Sequence, residues 1–265
     1  MVHLLALDQS QAQAEELLQG SVPSDLKDLP MLSETRRILD TIGAPYPIVP
    51  DPNGSASQDD FISAYSVAKE STSSSPSGRH IGYYKVAVDN LTLAQLHSRM
   101  MSFPFMHGFA PDRWKRVNDI MLEKEPGNCR CHWLRILALF ESDFNQAKRI
   151  AIGRKLMHHL EDYGLLSPMQ DGSRPSHQCV SEVLKKVLSH DYVHLTATTA
   201  VFIENDAIGC YDRLVINLIL MLLKKLGLPD TVTAYIGELW DKVVHLIKTV
   251  YGISDVTYGS SPECP

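Results

Sequence analysis

The residues best suited to chemistry stand at the end of one stretch, Thr198 to Arg213. It reads Thr-Thr-Ala-Val-Phe-Ile-Glu-Asn-Asp-Ala-Ile-Gly-Cys-Tyr-Asp-Arg. Its β-branched and apolar opening suits a buried strand running into Asp206. Asp212 comes six residues later, directly after Tyr211, and a long apolar helix is expected from Leu214. A carboxylate at the end of a core strand is costly to bury unless it is paired or bound to a cation. Asp206 is therefore a candidate ligand for a hard ion such as magnesium, which prefers oxygen donors. An aspartate between a strand and a helix also serves commonly as a turn residue or N-cap.

A second candidate is Arg135, the one charge in the apolar run Trp133–Phe140. That run reads as the second strand of a β-hairpin, with Val117–Glu123 as the first strand and Glu125-Pro-Gly-Asn128 as the turn. A guanidinium keeps its charge, so Arg135 reaches out to water, pairs with an acid or binds an anion. Lys124 stands beside the turn. Lys148, Arg149, Arg154 and Lys155 mark one side of a helix expected over Ala147–Tyr163 and closed by Gly164. They form either a solvated face or a phosphate contact. Ser75–Lys85 mixes small, basic and aromatic residues, a mix that can lie along a nucleic-acid backbone. Other pairs carry less. Asp59-Asp60 suits a solvated turn or cap. His158-His159 are adjacent and point apart on a helix. Cys129-x-Cys131-His132 offers half of a zinc site, with no second pair at finger-like spacing.

The elements that must position these residues form a mixed series. Helices are expected over residues 3–19 and 24–41, the second with Ser24 as N-cap and Pro30 as a kink. A proline- and glycine-rich linker, Pro45–Ser57, and a serine-rich stretch, Ser71–Arg79, flank a short apolar segment, Phe61–Val67. Thr92–Phe103 reads as an amphipathic helix through Leu93, Leu96, Met100 and Met101, ending before Pro104. Helices follow over His177–Ser189, Leu214–Leu226 and from Asp230 to about Lys248, with a strand and turn beginning at Tyr251. The chain has 265 residues and 44% hydrophobic side chains, enough for one or two domains with a core. Its five cysteines are irregularly spaced and imply no disulfide framework. The N-terminus lacks a basic region and a long apolar core, and the run Leu214–Leu223 is too short to cross a bilayer. The expected location is intracellular, nucleus or cytoplasm, with no membrane partner. Net charge is −6, but it divides unevenly: −7 over residues 1–70, +2 over 71–110, +3 over 111–190 and −4 over 191–265. The mild positive middle permits a phosphate-binding role.

Taken together, several segments resemble the reverse transcriptase domain of non-LTR retrotransposons. Asp206-x-x-x-Cys210-Tyr211-Asp212 resembles that family's first palm motif, Asp-x-x-x-Ala-Phe-Asp. Leu134-Arg135-Ile136-Leu137-Ala138-Leu139 resembles the fingers pattern Tyr-Arg-Pro-Ile-Ser-Leu, with its proline missing. Met169–Gln178 resembles Gln-x-Gly-Phe-Arg-x-Gly-Arg-Ser through Gln170, Gly172, Arg174 and Ser176. These segments occur in the family's order from about Pro111 onward.

The resemblance implies an α+β fold: polymerase fingers over 71–196 and an incomplete palm over 197–265. A mostly helical, partly disordered N-terminal extension over 1–70 precedes them. It implies an RNA-directed DNA polymerase acting by two-metal nucleotidyl transfer, with Mg2+ or Mn2+ as cofactor. The implied partners are an RNA template, a DNA primer and dNTP. Asp206 and the carbonyl of Ala207 would hold metal, with Asp206 catalytic. Tyr211 would gate the sugar, Arg135 and Lys124 would grip the incoming triphosphate, and Gln170, Gly172 and Arg174 would lie beside the template. No Tyr/Ala-x-Asp-Asp turn follows Asp212, so the chain is expected to end inside the palm and not to extend a primer. A primer-extension assay in magnesium or manganese checks this, and incorporation abolished by Asp206→Ala would overturn it. The alternative implied is a non-catalytic nucleic-acid-binding or assembly module derived from such a domain.

Overall fold

The computed structural model describes residues 33–43, 54–71, 76–167, 170–203, 214–249 and 251–259, together with Gln13 and Glu16. Helices and one mixed four-stranded sheet make the fold α+β. Two compact units divide the chain: Gly153–Leu214, and Met1–Ile152 with Val215–Pro265.

In the larger unit, α1 spans Ser33–Gly43 and α2 spans Gln58–Ser66. Ser57 caps α2 through a reciprocal pair: its hydroxyl accepts from the Asp60 N–H, and the Asp60 carboxylate accepts from the Ser57 N–H. Asp60 is thus the cap residue that the sequence allowed. α3 spans Ile81–Val86, and α4 spans Leu91–His107. Helix α4 was expected to stop before Pro104. It instead runs one turn further and closes at Gly108, whose φ of 71° is left-handed.

The buried face of α4 also differs from the expected stripe. Leu93, Leu96 and Met100 are exposed, whereas Ala94, Ser98, Met101, Ser102 and Phe105 are buried. Small residues win this face because a neighbouring backbone comes close. Ser102 Oγ accepts from the Ala56 N–H at 2.7 Å. A Cβ added at Gly54 would stand 2.7 Å from the Phe105 Cβ and 2.9 Å from a Val232 methyl. The end of the proline-rich linker is therefore a packed part of the core, where its composition suggested a flexible tether. Phe61, Tyr65, Phe105, Trp114 and Tyr235 fill that core.

The hairpin forms where the turn chemistry puts it. β1 spans Arg116–Glu123, β2 spans Leu134–Leu139, and they pair antiparallel with Leu122 opposite Arg135. Gly127, at φ 82°, makes the turn. Glu123 secures it by accepting from the Gly127 N–H at 2.7 Å. Helix α5, Ser142–Lys148, follows and runs on through a π-helical turn, Arg149–Arg154.

Helices α6, Lys155–Asp162, and α7, Cys179–Thr196, belong to the smaller unit; later in the chain, α8 spans Ile216–Lys225 and α9 spans Asp230–Lys242. The expected extension of this last helix to Lys248 is not found: β3 spans Val244–Thr249 and β4 spans Gly252–Gly259. The run Val-Val-His-Leu-Ile-Lys-Thr is rich in β-branched residues, and pairing decides its state. β3 lies parallel to β1 and antiparallel to β4, giving the order β2-β1-β3-β4.

Glu238 on α9 joins three groups. Its carboxylate accepts from the Ala110 N–H at 2.9 Å, and from Lys115 Nζ and Lys242 Nζ at 3.0 Å each. The Ala110 amide first, then the two ammonium groups, hold its carboxyl at about 2 against an ordinary 4.5. A depressed carboxyl stabilises the fold above its ordinary value, and that stabilisation is lost as pH falls from about 4.5 toward 2. Glu238→Gln is therefore expected to be less stable than the parent at pH 7, by on the order of 1 kcal/mol after solvent screening. Urea unfolding at several pH values should show the gap closing as the solution becomes acid.

The smaller unit holds α6, Lys155–Asp162, closed by Gly164 at φ 62°, and α7, Cys179–Thr196. The strand expected from Thr198 is absent over 198–203, where Val201 and Ile203 are exposed without regular structure. No strand pairs with this segment among the described residues, and a β-prone run without a strand partner has no ladder to join. The helix expected over residues 3–19 is described only at Gln13 and Glu16, and that over 24–41 only from Ser33. Ser24 and Pro30 lie outside the described residues.

Among the described residues no helix is long and apolar enough to cross a membrane.

Candidate functional site

The sheet has two chemically distinct faces, set by alternation along each strand. One face carries Val117 and Asp119 of β1, His245 of β3 and Tyr258 of β4. Asp119 is buried, and its Oδ2 lies 3.0 Å from His245 Nδ1 and accepts from the Tyr258 hydroxyl. Burial, reinforced by the Asp119 carboxylate, pushes that hydroxyl up to about 12, so it donates at neutral pH. The His245 and Tyr258 rings stack at 5.1 Å. This cluster fastens three strands together.

The opposite face carries Arg116, Asn118, Ile120 and Leu122 of β1. Register places Arg135 and Leu137 of β2 beside Leu122 and Ile120, and Lys248 of β3 on the other side of Ile120. Arg135 is exposed, and no side chain pairs with it among the described residues; the same holds for Arg116 and the half-buried Lys248. Of the three states open to Arg135, the structure gives the one in which it reaches out to water. With strands about 4.8 Å apart and about 3.3 Å per residue along them, the Cα atoms of Arg135 and Lys248 stand on the order of 12 Å apart. Exposed Leu122 and Leu137 lie between them. The hairpin tip adds exposed Lys124 and Arg130. Such a face can hold a polyanion at its cations and an apolar or aromatic body between them.

The inner end of this face opens into a cavity of about 620 Å³ whose lining includes Arg113, Arg116, Asn118, Glu141 and Asp255. Arg113 is not free for a ligand. Its Nη1 donates to Glu141 at 2.7 Å and to Asp143 at 2.9 Å, and its Nη2 donates to the second Asp143 oxygen. Trp114 Nε1 also donates to Asp143, at 3.2 Å. Glu141 and Asp143 are buried, so Arg113 neutralises two carboxylates with almost no access to water.

In the smaller unit, Gln170 and Gly172 are exposed, and a Cβ at Gly172 would meet nothing. Arg174 is committed within the turn. Its Nε and Nη2 grip Glu161 at 2.6 and 2.7 Å, and its Nη1 donates to the carbonyls of Ser167 and Gln170. Asp171 is buried against His177 at 2.6 Å and Lys185 at 3.0 Å, which hold its carboxyl well below the usual range. Ser173 and Ser176 take left-handed φ values of 63° and 61°. The segment is thus a tightly braced turn, and Arg174 is its brace.

Asp206, Ala207 and Tyr211 lie outside the described residues. No group of three or more His, Cys, Asp or Glu among the described residues could hold a metal ion. Cys129 and Cys131 are exposed and free. Arg116 and Lys248 are the residues that sequence reasoning missed at this face. The β-branched run around Lys248 was the available signal, and it was masked by an equally good helical stripe. No protein-family model matches the chain, and no curated protein matches it.

Proposed function

We propose that this chain forms the fingers and the leading part of the palm of an RNA-directed DNA polymerase of the retroelement type. In this reading the cationic sheet face takes the triphosphate of an incoming dNTP. The observation that carries it is Arg135: exposed, without a side-chain partner among the described residues, and on one face with Arg116 and Lys248. An unpaired guanidinium offers a planar fork to phosphate oxygens, and such charge-assisted bonds are the strong ones. Lys124 at the hairpin tip adds a point charge, and Leu122 and Leu137 offer apolar surface to the sugar or base.

Asp206, the Ala207 carbonyl and Tyr211 keep the roles that the resemblance implies, the first two toward magnesium and the third toward the sugar. The metal would supply charge neutralisation at the reacting phosphate. The braced turn of Gln170, Gly172 and Arg174 would lie along the template, with Arg174 shaping the turn rather than touching phosphate. The test is binding of a fluorescent dNTP to the whole chain and to Arg135→Ala.

A further inference from the structure

The tip of the β1–β2 hairpin carries two thiols that take no part in the sheet. Cys129 and Cys131 are exposed and free, with Arg130 between them. Spacing alone would say little, but the local backbone says more. Arg130 has φ −66° and ψ 133°, an extended conformation that rises about 3.1 Å per residue. It sets the Cα atoms of Cys129 and Cys131 roughly 6.5 Å apart, within the span of about 4.4–6.8 Å that a disulfide bridges. Both side chains are exposed, so they can turn toward each other without displacing a packed neighbour.

The chain on either side is held. The Trp133 N–H donates to the Arg130 carbonyl at 2.8 Å and closes the short 3₁₀ turn Cys131–Trp133. The Lys124 N–H donates to the Trp133 carbonyl at 3.2 Å, and the Asn128 N–H donates to the Glu125 carbonyl at 3.1 Å. The two thiols are thus neighbours on a closed hairpin, and they differ in one respect. Cys129 Sγ donates to Glu123 Oε1 at 3.3 Å, and that hydrogen bond, followed by the charge of the carboxylate, pushes the Cys129 thiol up. No side chain among the described residues holds the Cys131 thiol in this way.

We propose that Cys129 and Cys131 form a reversible redox dithiol that reacts with small disulfides of the glutathione class, Cys131 attacking and Cys129 resolving. The Cys131 thiolate attacks one sulfur of glutathione disulfide, whose S–S bond breaks and releases one glutathione thiolate. The Cys129 sulfur then attacks the Cys131 sulfur of the mixed disulfide, forms the Cys129–Cys131 bond and releases the second glutathione. Two protein thiols give up two electrons, one disulfide is reduced to two thiols, and the two protein protons pass through water to the departing thiolates. An exposed disulfide of this kind is labile and reopens in excess thiol. Its formation breaks the hydrogen bond from Cys129 to Glu123, so the tip responds to the redox state of its surroundings. The inference rests on the hairpin and not on the polymerase reading.

The test is incubation of the whole reduced chain with glutathione disulfide, alkylation of the remaining thiols, and mass spectrometry of unreduced peptides. The parent should show a Cys129–Cys131 disulfide, without retained glutathione there, and dithiothreitol should restore both thiols. Cys129→Ser should stop halfway, with one glutathione kept on Cys131. Cys131→Ser should take up glutathione at Cys129 more slowly than Cys129→Ser does at Cys131. Glu123→Gln, which removes the charge that disfavours the Cys129 thiolate, should shorten the life of the mixed disulfide. Circular dichroism checks that each variant is folded, which the exposure of all three side chains favours. Glutathione retained on both cysteines of the parent with no bond between them overturns the proposal. A disulfide joining two chains in place of the internal one, seen as a dimer on a non-reducing gel, also overturns it. Faster uptake at Cys129 than at Cys131 in the single variants overturns the assigned order of attack.

Discussion

Arg113→Met is expected to destabilise the fold by about 3–5 kcal/mol, the cost of removing one partner from a buried ion pair. Glu141 and Asp143 have almost no access to water, and Arg113 donates to both. Without the guanidinium two carboxylates face each other with no counter-charge. The loss should spread, because Glu141 also holds the Ser77 loop and Asp143 holds Trp114. For a chain of this size the melting temperature should fall by on the order of 10 °C. Arg113→Lys should recover only part of this, since an ammonium cannot span both carboxylates as a planar fork does. Adding Asp143→Asn to Arg113→Met should restore part of the stability, which a double-mutant cycle by urea unfolding would read out. A melting curve for Arg113→Met that overlays the parent would refute the structural role given to this cluster.

Arg135→Ala is expected to weaken dNTP binding by on the order of tenfold to a hundredfold, as befits the loss of hydrogen bonds to a charged group. The fold should not suffer, because Arg135 is exposed on the edge strand β2 and no side chain among the described residues depends on it. Thermal unfolding would confirm that. Arg135→Lys should fall between the two, keeping the charge and losing the fork. Added salt should weaken the parent more than the alanine variant. Lys248→Ala should show a smaller loss, since that side chain is half-buried and stands on the order of 12 Å from Arg135 across the sheet. Equal affinity of the parent and Arg135→Ala for dNTP would remove this face from the nucleotide-binding reading.

The two experiments probe different kinds of arginine, and the sequence alone did not separate them. Arg113 sits in a turn-rich aromatic segment and Arg135 in an apolar strand, so composition makes Arg135 the more conspicuous. The reason for Arg113 lies 28 and 30 residues away at Glu141 and Asp143. Arg174 shows the same limit. Its place beside Gly172 is visible in the sequence, but its grip on Glu161 depends on how the turn folds back.

What the sequence determined by itself was local. The β1–β2 hairpin was legible because alternation and a Pro-Gly turn act within a few residues. The helix ends at Gly164 and Gly227 were legible because only glycine adopts a left-handed cap at little cost. The tertiary structure decided whatever required a distant partner. Val244–Thr249 became a strand because β1, more than a hundred residues earlier, offered a parallel edge. The inner face of α4 went to alanine and serine because Gly54 and Ala56 needed close approach. Arg116, Arg135 and Lys248 came to share one face only through the register of three strands, since an alternating pattern names the two sides of a strand but not its neighbours.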